Sequence, residues 1–330
     1  MKKLLCPLGG ALLVALLALA ACGGSDTTTA TSPSAAPGEM ASPSVAASPS
    51  GVPLPTPTVA GTIVFAHVLN SQQGLEDADI CVVESDGTGL KTLAGGPAWQ
   101  EFPSWSPDGT KIVYDGGASP DVRVAQVCVM NADGSEKVEL TEGSGYCPDW
   151  SPDGKRIVFV RYVGGKRGED IFVMNADGTG ERCLVDMKDG DSRPVWAKTG
   201  EIFFLHHEAL YSVNPDGSGL ARIKQPGDIE NFAISADGKM LAYHDDELVA
   251  VLPLRSAGRR VALLKPVSDY VLHDPGVVPG WTRDRKALVV AASSGDTIHG
   301  SRLYVVSVRG SGLSAVPGIE TALDPAWRPQ

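Results

Sequence analysis

His67, Asp115, Arg161, the run His206-His207-Glu208, the pair His244-Asp245 and Tyr270 are the residues of this chain whose types can do chemistry beyond folding. Imidazole and carboxylate groups together can hold a divalent metal, and guanidinium with imidazole can hold an anion or the carboxylate end of a peptide. Their spacing argues against a compact active centre. The chain's six histidines are scattered, no short metal-binding motif encloses any of them, and no Gly-x-Ser-x-Gly nucleophile elbow accompanies them. No nucleophile and base can be assigned together, so no catalytic residue is named and no cofactor is predicted, a central metal ion being the one the residues allow. A site built from these positions needs a scaffold that brings distant segments together.

That scaffold is written as a repeat. Trp105-Ser106-Pro107-Asp108-Gly109-Thr110-Lys111-Ile112-Val113-Tyr114 recurs as Trp150-Ser151-Pro152-Asp153-Gly154-Lys155-Arg156-Ile157-Val158-Phe159, with weaker copies from Trp196, Ile234 and Trp281. Successive anchors at 105, 150, 196, 234, 281 and 327 lie 38 to 47 residues apart, the period of a stacked supersecondary unit. A second turn motif alternates with the first, in Asn131-Ala132-Asp133-Gly134, Asn175-Ala176-Asp177-Gly178 and Asn214-Pro215-Asp216-Gly217. Between these turns lie short runs rich in Ile, Val, Phe and Tyr, which suit strands rather than helices. The expected fold is all-β: a six-bladed β-propeller with four-stranded blades. The sixth anchor, Trp327, has no strand after it, whereas the first, Gly61-Thr62-Ile63-Val64-Phe65, has no anchor before it. Pairing the two ends closes the ring.

The turn residues are structural by type. Pro107 presets the bend, Asp108 and Asp153 accept backbone hydrogen bonds, and Gly109 and Gly154 take positive φ without a clash. Trp105, Trp150, Trp196, Trp281 and Trp327 offer large apolar area for packing between sheets. These two motifs resemble the TolB-type, WD40-like propeller family over residues 61–330. The resemblance implies architecture more than activity. Residues 1–60 leave no room for the small α/β domain that precedes the TolB propeller, so the full TolB role at a cell-envelope motor or trafficking complex is not implied.

The first sixty residues set the expected location. Lys2 and Lys3 precede an apolar run from Leu8 to Ala21, as in a secretory signal peptide. Leu19-Ala20-Ala21-Cys22 resembles the bacterial lipobox, which implies cleavage before Cys22 and lipid, palmitate included, on its sulfur. Residues 22–60 then form a Ser/Thr/Pro/Ala-rich tether whose only charges are Asp26 and Glu39 and whose seven prolines favour an extended spacer. The expected organisation is a lipoprotein signal peptide over 1–21, a lipidated and disordered tether over 22–60, and a propeller over 61–330.

Net charge is −11. A basic nucleic-acid footprint is excluded, and membrane attachment falls to the lipid rather than to charge. Cys81, Cys128, Cys147 and Cys183 remain for the folded region, and on an oxidising export route they are disulfide candidates, with buried thiols as the alternative. The turn motifs emerge on one side of the ring and are nearly uniform, whereas the connections on the opposite side vary widely. Loops on a rigid scaffold carry function. His67, Asp115, Arg161, His206, His207, Glu208, His244, Asp245 and Tyr270 all fall on that variable side. The sequence therefore predicts a monomeric, lipid-anchored, extracytoplasmic module that binds a protein, peptide or envelope glycan. The alternative is a metal-dependent polysaccharide lyase or hydrolase with a central propeller site.

Overall fold

The computed structural model describes residues 57–69, 77–96, 99–117, 123–165, 168–188, 190–224, 227–245, 248–255, 261–264, 280–282, 284–292, 301–309 and 313–329. Cys22 and Tyr270 lie outside them. All regular elements among the described residues are strands. No helix there is long and apolar enough to cross a membrane.

In chain order the first strands are β1 (Thr62–Leu69), β2 (Asp77–Glu84) and β3 (Lys91–Ala94), then β4 (Trp99–Trp105), β5 (Lys111–Gly117), β6 (Gln126–Asn131) and β7 (Val138–Glu139). There follow β8 (Tyr146–Trp150), β9 (Arg156–Gly164), β10 (Gly168–Asn175) and β11 (Arg182–Val185), and after them β12 (Asp191–Trp196), β13 (Ile202–His206), β14 (Ala209–Val213) and β15 (Ala221–Arg222). The remainder are β16 (Asn231–Ile234), β17 (Met240–Asp245), β18 (Leu248–Pro253), β19 (Val261–Leu264), β20 (Gly280–Trp281), β21 (Ala287–Ala292), β22 (Arg302–Ser307), β23 (Leu313–Ala315) and β24 (Ala322–Trp327).

Four of the sheets are four-stranded antiparallel meanders, β8 to β11, β12 to β15, β16 to β19 and β20 to β23. The fifth has eight strands, in the order β24-β1-β2-β4-β5-β6-β7 with β3 also on β2, and its two halves meet at a single parallel bridge between Ala78 and Trp99. The expected pairing of the two ends is present: β24 lies antiparallel to β1, with Ile63 opposite Trp327 and Ala66 opposite Leu323.

Local chemistry explains the hairpins that follow Trp105, Trp150 and Ile234. In the turn after Trp105, Ser106 Oγ donates to Asp108 Oδ1 at 2.6 Å and accepts from Lys111 N at 2.9 Å, while Gly109 takes φ 66°. The same bonds recur at Ser151 with Asp153 and at Ser235 with Asp237. These bonds hold the Asp108 and Asp153 carboxyls below the usual carboxylate range, the serine hydroxyl being the main cause. The middle strands are buried on both faces, as in β21, where all six residues are buried. They need neighbours on either side. One core cluster joins Val113, Val127 and Val129 of β5 and β6 to Trp150, Ile157 and Phe159 of β8 and β9, so the anchor indole seals one sheet against the next.

The expected disulfides are not formed: Cys81, Cys128, Cys147 and Cys183 are all thiols. Each lies on a different sheet-forming strand, and three of the sulfurs have oxygen neighbours instead of sulfur. Cys81 Sγ is 3.4 Å from Thr92 Oγ1, Cys128 Sγ donates to the Gln126 carbonyl at 3.6 Å, and Cys183 Sγ to the Val185 carbonyl at 3.4 Å. Burial pushes the Cys128 thiol up to about 12, so it is a packing residue and not a reactive one.

Candidate functional site: an axial cavity

The residue before each anchor, Ser104, Asp149, Val195, Ala233, Gly280 and Ala326, lines two cavities at once, one of about 270 Å³ and one of about 200 Å³. Residues of β4, β8, β12, β16, β20 and β24 thus line both cavities, and these six form the neck between them. The larger cavity continues past the Trp anchors toward Pro107 and Pro152, on the side of the uniform turns. The smaller opens the other way, among Phe102, Cys147, Arg193, Asn231 and Asp324. It lies on the side of the variable connections.

A single backbone device shapes that smaller cavity. Phe102, Cys147, Arg193 and Asp324 each precede a proline and each adopt a left-handed conformation, with φ between 46° and 50°. Non-glycine residues in this region cost about 1–3 kcal/mol and persist where the surrounding structure enforces them. At all four the strand register shifts across the same residues, between Glu101 and Ser104, Tyr146 and Asp149, Ser192 and Val195, and Leu323 and Ala326. A bulge of this kind re-aims a side chain. Here it sends four different groups, a phenyl, a thiol, a guanidinium and a carboxylate, to one opening. Arg193 stacks over Phe102 with 5.1 Å from its guanidinium carbon to the ring centre.

Carboxylates tie the sheets together around the axis. Asp149 accepts from Ser104 Oγ at 2.7 Å and from the Trp196 backbone at 2.8 Å, so one side chain joins three sheets. Burial raises its pKa to about 6 against the pull of those bonds. Asp115 Oδ2 accepts from the Cys147 backbone at 2.9 Å, holding β5 to β8. Asp115 is thus a clasp between neighbouring sheets.

None of the other sequence-predicted binding residues among the described residues lines either cavity. His206 Nδ1 lies 2.8 Å from Asp191 Oδ1, and its ring meets His207 edge-on with 4.3 Å between centres. His207 and Glu208 make the two-residue turn from β13 to β14, at φ 48° and 63°. These three residues are brought together; the other candidates among the described residues are not. Half-buried His67 sits opposite Asp79 in the β1–β2 register. Arg161 pairs with Glu181 at 2.6 Å and lies over Phe159 and Phe172, drawn along its sheet rather than toward the axis. His244 is fully buried with Nδ1 3.2 Å from Glu230 Oε2, and Asp245 accepts from Leu248 N at 3.0 Å. Among the described residues no three His, Cys, Asp or Glu side chains converge as metal ligands.

Sequence reasoning missed Arg193, Phe102, Asp149 and the buried acids Asp170 and Asp191. A signal for the first three existed in the Pro that stands two residues before the anchor in Phe102-Pro103-Ser104-Trp105, Cys147-Pro148-Asp149-Trp150 and Arg193-Pro194-Val195-Trp196. The buried acids carry none, because only register places Asp170 opposite Arg161 and Asp191 opposite His206.

Antiparallel meanders whose first strands line a common axis define a β-propeller. The chain belongs to the TolB β-propeller family, whose domain model matches residues 59–330. Its fold is similar to the crystal structure of TolB from Acinetobacter baumannii, at TM-score 0.69 and 19% identity over 82% of this chain and 67% of that one. It is also similar to a putative TolB from Agrobacterium tumefaciens, at TM-score 0.56 and 12% identity over 81% and 92% of the two chains. A chain of a nidogen/laminin complex matches at TM-score 0.59 and 13% identity over 81% and 98%. No curated protein sequence matches the chain.

Proposed function

We propose that this protein is a lipid-anchored extracytoplasmic module that binds a protein, peptide or envelope glycan through the variable face of a closed six-bladed propeller. In this reading residues 1–21 are a lipoprotein signal peptide, Cys22 carries the lipid, residues 22–60 are the tether, and residues 61–330 form six four-stranded blades, the first completed by β24 beside β1. The mature chain is a monomer. Membership of the TolB propeller family and the pairing of β1 with β24 support the architecture. One observation carries the binding role: the axial cavity of about 200 Å³ opens away from the uniform turns and gathers guanidinium, carboxylate, amide, thiol and phenyl groups at its mouth. A pocket of mixed polar and aromatic lining suits one side chain or chain end of a partner. His206, His207 and Glu208 on the β13 side extend that surface.

Two experiments test the reading. A photo-reactive phenylalanine analogue at Phe102 in intact cells is expected to give an adduct of defined size, and the same group at the exposed turn residue Asp133 is expected to give none. Equal adducts from both positions would overturn the assignment of the binding face. Cys22→Ser is expected to move the protein from the membrane fraction to the soluble extracytoplasmic fraction and to abolish incorporation of labelled palmitate. Unchanged membrane fractionation would remove the lipid anchor.

A further inference from the structure

We infer that the larger axial cavity, on the side of the uniform turns, is a second binding site whose ligand is a small amphiphilic anion, an apolar body with a carboxylate at one end. The site lies apart from the variable face and does not rest on its binding role. Its wall is mostly indole: Trp105, Trp150, Trp196, Trp281 and Trp327, five of the chain's six tryptophans, line this one space of about 270 Å³. Pro107, Pro152, Pro329 and Ala236 carry the apolar lining out into the turns, where polar side chains are the rule. The volume falls just below the about 300–1,000 Å³ of pockets that take drug-sized ligands, so the occupant is small.

The sign of its polar end follows from the charges of the lining. Where other turns read Ser106-Pro107-Asp108-Gly109, Ser151-Pro152-Asp153-Gly154 and Ser235-Ala236-Asp237-Gly238, the third reads Ala197-Lys198-Thr199-Gly200. Lys198 thus lines the cavity from the place that Pro or Ala holds elsewhere, and Thr199 takes the place of the acid beside it. Lys198 is exposed and has no ion-pair partner among the described residues. Arg328, the other cation of the lining, gives Nε and Nη2 to the Gly109 carbonyl, a neutral acceptor that leaves its charge unpaired. The one acid of the lining, Asp149, stands at the neck, with one oxygen on Ser104 Oγ and the other on the Trp196 backbone. Asp108 and Asp153 line an adjoining cleft instead.

The indoles point the same way. Trp196 and Trp281 give their Nε1 hydrogens to the Gly200 and Ala233 carbonyls, whereas Nε1 of Trp105 and of Trp150 are buried with no acceptor among the described residues. Two positive dipole ends in the wall are therefore unmet. Indole faces otherwise favour organic cations. Here the chain supplies those cations itself, with Arg328 over Trp105 at 4.9 Å and Arg156 over Trp196 at 4.7 Å. An alkyl carboxylate fits what remains, its tail among the indoles and its head toward Lys198.

The test is a titration of the full-length chain with octanoate, octanol and octylammonium, read by the fluorescence of the wall tryptophans. Octanoate is expected to give a saturable change, octanol one about fivefold weaker in affinity, the worth of one partly exposed ion pair, and octylammonium none. Lys198→Met is expected to bring octanoate down to the level of octanol and to leave octanol as it was. Ala236→Phe, which places a phenyl group at the mouth, is expected to abolish both. Equal affinity for octanoate and octanol in the native chain, or an unchanged response in either variant, would overturn the proposal. In the native chain, magnetisation transfer from octanoate methylenes to indole protons locates the ligand without any substitution, and its absence overturns the site even if Ala236→Phe fails to fold. Crosslinking at Phe102 reads the other face, so the two readings can fail separately.

Discussion

A chain ending at residue 321 is expected to lose its cooperative unfolding transition altogether. The deletion removes β24, and with it the only partner of β1 on one edge, where Val64 pairs with Ala326 and His67 with Ala322. It also removes buried Ala322 and Leu323 from two different core clusters. Arg328 goes too; its Nε and Nη2 both donate to the Gly109 carbonyl, and its guanidinium covers the Trp105 ring. The lost contacts join the first and second units to the last. Net stability of a domain is about 5–15 kcal/mol, and the loss of a whole inner strand is of that order. Calorimetry on the full and shortened chains checks it. A single transition of undiminished enthalpy in the shortened chain would contradict the role of β24.

Trp150→Ala is expected to destabilise the domain by about 3–5 kcal/mol, as for other buried aromatic deletions. Trp150 is 4% exposed and packs with Val113, Ile157, Phe159 and Met174 across two sheets. For a domain of this size the change lowers the melting midpoint by roughly 10 °C. The same substitution at half-buried Trp327 is expected to cost less, since less apolar area is removed from the core. Equal midpoints for the native chain and Trp150→Ala would remove the anchor from the core.

The sequence displays the scaffold openly because the scaffold is periodic. Each Trp and each Ser-Pro-Asp-Gly turn repeats a local solution, so alignment of the chain with itself exposes strands, turns and the pairing of the ends. The site is harder to see because it depends on what differs between repeats and on side-chain direction. Arg161 in β9 and His206 in β13 each stand four residues after the isoleucine that pairs with the anchor Trp, yet Arg161 turns along its sheet to Glu181 while His206 turns to Asp191. His244 has the composition of a ligand and the burial of a core residue. The cavity wall is built from residues that the pattern treats as mere spacers before the anchor. Their left-handed backbone follows from the register shift ahead of the proline, which no count of residue types contains. The cysteines misled for a related reason: an even number permits bridges, but the four lie on four different strands and three of the sulfurs meet oxygen rather than sulfur.

The pairing of β1 with β24 also bears on the order of events during synthesis. Thr321 Oγ1 bonds the Val68 carbonyl, 253 residues away along the chain, and the neighbouring ladder spans a similar interval. Contacts of such range form late and slowly, because the intervening chain must be ordered before they are rewarded. The first unit has no complete inner edge until the last strand is available. A nascent chain therefore cannot finish this domain until its last strand has emerged.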